Sequence, residues 1–204
     1  MNTADLDSLM EIIGSGDTAE STHALEQILE VFNQIVRAVV ASVEDNETPL
    51  FIMERLHLFG SIAIPHLEEL YGKLTDGETK ILTAISLLLL NNPMGVQYLL
   101  EKLANQGDYD FLITYKLVNA DVREVIPVIE GRLRSCTTDD SERIICFLEA
   151  LLKLSVAIPP QIKQSLGNAV VHQLSSIDRE DTHQVIQNLE ILKLLDWELP
   201  KQSL

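Results

Sequence analysis

Cysteine, aromatic side chains and positive charge are all scarce in this sequence, and each shortage excludes something. Only Cys136 and Cys146 occur in 204 residues, ten apart and with no Cys-x-x-Cys spacing. They cannot form a four-cysteine zinc site, and one possible bridge makes no disulfide framework, so a reducing cytoplasm is the expected location. Phe, Trp and Tyr together make up 5% of the chain, and all four tyrosines (Tyr71, Tyr98, Tyr109, Tyr115) cluster in one stretch. The amino terminus, MNTADLDSLM, has no basic n-region and no apolar h-region, so no signal peptide is expected. The apolar run LLLL at 87–90 is far shorter than the roughly 20 residues a membrane-spanning helix needs.

Bases number 15 against 31 acids, a formal charge of −16. The excess is steepest in residues 1–60, where 11 acids face only Arg37 and Arg55, a net of −9. Nucleic-acid binding depends on Lys and Arg neutralising phosphates, so a DNA or RNA surface is excluded as an expectation. An anionic membrane surface is disfavoured on the same ground. A protein partner with a basic patch fits the field, because opposite charges speed encounter.

Catalytic signatures are missing too. No Gly-x-Ser-x-Gly occurs, and IIGSGD has the wrong spacing for a nucleophile elbow. Gly72-Lys73 lacks the earlier glycine and the following Ser or Thr of a phosphate-binding loop. Cys146 sits beside Ile144, Ile145 and Phe147 and reads as a buried, inert thiol, while Cys136, beside Arg134 and a turn, reads as more exposed. Glu68-Glu69 and Asp139-Asp140 are adjacent carboxylates, but helix neighbours point about 100° apart and make no acid/base pair. Glu-x-x-His occurs three times, at Glu20/His23, Glu54/His57 and Glu180/His183. Pairs of that motif build di-iron sites in helical bundles. First-turn carboxylates and i,i+3 helix pairs account for them better, and no metal or other cofactor is expected.

What the chain does have is helix. Leu, Glu, Ala, Gln and Ile dominate, and no long stretch alternates with period two. A first short helix ends at GSGD (14–17), and Asp17 with Glu20 forms a capping box for a second helix from Thr18 to about Val43. Thr48-Pro49 reads as an N-cap with a first-turn proline. From residue 61 the turn signals divide the chain into pairs: 62–74 with 78–91, 94–105 with 109–118, 121–134 with 139–155, and 160–174 with 179–196. Short connections force each pair to run antiparallel. Helix 78–91, with ILTAISLLLL, is apolar around most of its circumference and must be covered on several sides.

The stretch IAIPHLEELYGKLTDGETKILTAI resembles a HEAT-type repeat: a first helix with a proline, a turn with Asp, and a second helix with an early base. Pro65, Asp76 and Lys80 carry the pattern, as do Pro127, Asp139 and Arg143 in a second copy. The Ile-Pro anchors of the two copies lie 62 residues apart and GKL/GRL 59, so two registers compete. The unit is about 30 residues, shorter than the roughly 40–47 typical of the family. The resemblance implies an all-α stack of antiparallel hairpins, a short α-solenoid over 61–204 as one continuous domain, with 1–60 as an acidic helical cap. It implies that the second helix of each hairpin lines a concave face. Polar stripes on those helices are the candidate partner-binding residues: Thr79, Thr83 and Ser86; Asp110 and Thr114, with Tyr115; Glu142, Glu149 and Lys153; Gln184 and Gln187. An ordinary solvated face explains each stripe singly, so their recurrence is the signal.

The expected function is a non-catalytic adaptor or inhibitor presenting an acidic helical surface to a protein. An immunity or antitoxin protein masking a basic toxin domain is a sharper form of it. The alternative is a HEAT-like enzyme subunit or cofactor handler resembling a bilin lyase. A pocket lined by several tyrosines and one isolated carboxylate favours that alternative, and a broad acidic groove favours the adaptor.

Overall fold

A computed structural model describes residues 3–14, 18–44, 55–105, 107–176 and 182–197. Every regular element among them is helical. The chain divides into two compact units, Met1–Gly95 and Val96–Leu204. The division expected at 60/61 falls inside the first of these.

In the first unit, α1 (Thr3–Gly14) packs on α2 (Thr18–Glu44), and the Ser21 hydroxyl donates to the carbonyls of Ile12 and Ile13, both at 3.2 Å. A 3₁₀ segment, Leu56–Ala63, turns at Gly60, whose φ of 67° favours glycine. It leads into α3 (Ile64–Lys73), with Pro65 in the first turn, where no backbone donor is lost. α4 (Glu78–Leu89) is buried without a break from Ile81 to Leu88, as an all-round apolar helix must be. Asp17 and Thr48-Pro49 lie outside the described residues.

α5 (Pro93–Ala104) starts against α4. A Cβ at Gly95 would lie 2.4 Å from the Ala84 carbonyl oxygen, so only glycine fits that backbone crossing. Asn92 fixes the join. Its Oδ1 accepts from the Met94 amide at 3.0 Å as an N-cap, and its Nδ2 donates to Glu68 at 2.7 Å.

The second unit adds α6 (Asp110–Asn119), α7 (Val125–Ser135), a 3₁₀ turn (Thr138–Asp140), α8 (Ser141–Lys153), α9 (Pro160–Ser176) and α10 (Thr182–Leu194). α8 packs against α6, α7 and α10, while α9 packs against α7 and α10. Ile144, Phe147, Leu148 and Leu151, spaced i, i+3, i+4, i+7, form the buried stripe of α8. Each such side chain contributes about 1.5–3 kcal/mol by leaving water. The Trp197 ring lies over Gly167 of α9, where a Cβ would come within 2.3 Å of it.

Four helices share one ending. α4, α6, α8 and α10 each stop at a residue with left-handed backbone that is not glycine: Asn91 (φ 57°), Asp121 (52°), Ser155 (57°) and Asp196 (49°). At each, two hydrogen bonds close a Schellman turn. The outer bonds run from the amides of Asn92, Val122, Val156 and Trp197 to the carbonyls of Leu87, Leu117, Leu151 and Leu192. α3 and α7 match each other as well. Both end on extended residues, Leu74 (ψ 134°) and Cys136 (ψ 141°), whose amides bond four residues back. Those positions are 62 apart, so the Ile-Pro register describes the backbone and the GKL/GRL register does not. In that register Leu70 corresponds to Arg132.

Candidate functional site

The exchange of Leu70 for Arg132 gives the second unit a buried ionic cluster. Arg132, 7% exposed, donates from Nη2 to Asp110 Oδ2 at 2.8 Å and from Nη1 to the Leu103 carbonyl at 2.6 Å. Its guanidinium carbon lies 5.5 Å from the Phe147 ring centroid. Arg143 brings Nε within 2.9 Å of the same Asp110 oxygen and donates from Nη1 to Asp140 at 2.7 Å. Asp140 in turn forms a capping box with Thr137. Three helices, α6, α7 and α8, are thus pinned by one carboxylate. Of the adjacent acids Asp139 and Asp140, the first is exposed and the second makes the contact.

This corrects part of the surface expected from the sequence. Asp110 (2%), Thr114 (2%), Thr83 and Ser86 (both 0%) are inside the protein, and none is open to a partner. The Thr83 hydroxyl donates to the Thr79 carbonyl at 2.8 Å, and Thr79 itself is half-buried in the first unit. Gln187, 9% exposed, is a tie between helices: it accepts from the Ser141 hydroxyl at 2.6 Å and donates to Glu142 at 3.3 Å. Small hydroxyls and amides at i+4 spacing look alike on a solvated face and on a tight helix contact. The spacing alone therefore did not separate the two.

The remaining residues come together on the outer face of α6, α8 and α10. Two grooves lie there. One, about 270 Å³, runs between α6 and α8 and is lined by Thr114, Tyr115, Val118, Cys146, Glu149 and Lys153. The other, also about 270 Å³, opens at the first turns of the three helices, between Phe111 of α6 and His183 of α10, with Glu142 and Gln184 on its walls. Glu142, Glu149, Lys153 and Tyr115 are exposed, Tyr115 by 61%. Lys153 sits 5.7 Å above the Tyr115 ring and bonds Asn119 Oδ1. Phe111, Leu152, Ile186 and Leu189, each 45–57% exposed, add apolar area that the polar stripes did not flag. Large apolar residues at exposed helix positions were the missed signal.

The thiol that lines the first groove is disfavoured as a nucleophile. Burial, aided by the charge of Glu149, pushes the Cys146 thiol up to about 11, and the Thr114 hydroxyl only partly offsets this. Burial and the nearby Asp140 also raise Cys136. Of the four tyrosines, Tyr115 alone lines this groove. Among the described residues no group of three His, Cys, Asp or Glu side chains is placed to hold a metal ion. Glu54 and Glu180 lie outside them, and His23 stands 3.8 Å from Glu26. No described helix is long and apolar enough to cross a membrane. The chain matches no protein-family profile, no curated protein and no solved structure.

Proposed function

We propose that this protein is a non-catalytic adaptor or inhibitor. It binds a protein partner with a basic patch through the outer face of α6, α8 and α10. The observation that carries the reading is the alternation on that face. The central helix α8 exposes Glu142 and Glu149, while its neighbours expose Phe111 and Tyr115 on α6 and Ile186 and Leu189 on α10. Aromatic and aliphatic anchors beside exposed acids suit a basic, partly apolar partner surface. We read the order α6–α8–α10 beside α7–α9 as the two layers of a short HEAT-like α-solenoid, an architecture that presents such a face without reorganising.

The test is affinity capture from the native source with the wild-type chain and the Glu142→Lys/Glu149→Lys double variant side by side, eluted by salt. A basic protein held by the wild type, released at moderate salt and lost from the variant is the expected result. Equal retention by both baits sinks the reading, as does recovery of no protein by either.

A further inference from the structure

α2 carries a single apolar stripe along its length. In its C-terminal half Val36, Val40 and Val43 are buried, where the helix packs on the 3₁₀ segment and α3. Nearer its N-terminus the same stripe is bare: Leu25 is 47% exposed, Leu29 54% and Phe32 42%. Their i, i+4, i+7 spacing lines them up with Val36 on one face. α1 covers the adjoining side, through Ala24 and the Ser21 bonds, and leaves these three uncovered. Leu58, 73% exposed, extends the patch, and its neighbour Phe59 meets Phe32 edge to face at 6.1 Å between centroids. A run of large apolar residues on one face differs from the scattered exposure normal for a monomer.

The charge around this patch decides what fits it. The first 36 residues contain seven acids and neither Lys nor Arg. Glu26 and Glu30, both exposed, follow Leu25 and Leu29 on α2 and line a groove with Leu9 of α1. A second copy of the chain would bring acids against acids. A lipid surface calls for Lys and Arg on the polar face of an amphipathic helix, the reverse of what α2 offers. We infer that the patch docks an amphipathic helix of a protein partner, with Leu or Phe anchors flanked by Lys or Arg, in the helix-against-helix mode of recognition. The site lies wholly in the first unit and does not rest on the α6–α8–α10 reading.

The probes are two dye-labelled 20-residue helical peptides with Leu and Phe at i, i+3, i+4 and i+7. One has Lys and Arg at its polar positions and the other has Glu. Titrated against the full chain by fluorescence anisotropy, the basic peptide should bind at least about 100-fold more tightly than the acidic one. Phe32→Ser, and separately Glu26→Lys/Glu30→Lys, should each weaken it about 10-fold or more, and Glu142→Lys/Glu149→Lys should leave it unchanged. All these substitutions are at exposed positions, and circular dichroism checks that each variant keeps its helix. Failure of the basic peptide to bind overturns the inference. So does equal binding of both peptides, or a dimer in sedimentation equilibrium that Phe32→Ser dissociates.

Discussion

Single residues carry measurable tension in this fold. Ser155 holds a left-handed backbone at φ 57°, a conformation that Asn91, Asp121 and Asp196 tolerate better at the matching turns. Ser155→Gly is therefore expected to stabilise the protein by about 0.5–1 kcal/mol, read as a higher urea midpoint with unchanged slope. Gly167 is the opposite case. Its missing Cβ makes room for the Trp197 ring, so Gly167→Ala should cost about 1–3 kcal/mol and shift Trp197 fluorescence. At Cys146, a thiol held near 11 has about a hundredfold less thiolate at pH 8 than one at its ordinary value. Alkylation by iodoacetamide at that pH should lag a free-cysteine standard by at least that factor and overtake it only on unfolding. The sign for stability follows. The folded state keeps its proton while the unfolded chain releases one, so the thiol's contribution holds below pH 9 and fades above it.

At the level of elements, the buried ionic cluster decides more than any surface pair. Asp110, 3% exposed in its side chain, meets both Arg132 and Arg143. Arg132→Ala strips one partner from that carboxylate and leaves the Leu103 carbonyl bare, at an expected cost of about 3–5 kcal/mol. A loss below 1 kcal/mol in urea unfolding would falsify the structural role given to it. The helices themselves were legible in the sequence. α2 was expected over Thr18 to Val43 and runs Thr18–Glu44, and the helix limits expected after residue 61 match the described helices to within a few residues. Those limits were readable because Pro and Asx residues mark them locally. The faces were less legible. Thr83, Ser86 and Thr114 are polar by type yet buried, and at Thr83 the hydroxyl returns to its own helix carbonyl and hides its polarity within one turn. Arg132 went unread for a related reason. A long base in a last turn looks like a dipole partner, and only tertiary structure supplies Asp110 from 22 residues away.

For the whole molecule, charge is the governing quantity. With acids outnumbering bases two to one, self-repulsion opposes the folded state at low ionic strength. Raising NaCl from about 10 mM to 150 mM shortens the screening length from roughly 30 Å to 8 Å, so the thermal midpoint should rise over that range. A falling midpoint would show that attractive surface pairs outweigh repulsion. The repeated turn after α4, α6, α8 and α10 has a different consequence, one of ancestry and editing. Because the backbone leaves each of these helices by the same left-handed step, a chain cut after Ala120 and resumed at Ser155 meets an identical seam, Leu117 taking the place of Leu151 as the carbonyl that the Val156 amide seeks. Segments joined this way can be gained or dropped without inventing a new junction, and this particular excision takes Arg132 and Arg143 with it and leaves the buried Asp110 without either partner.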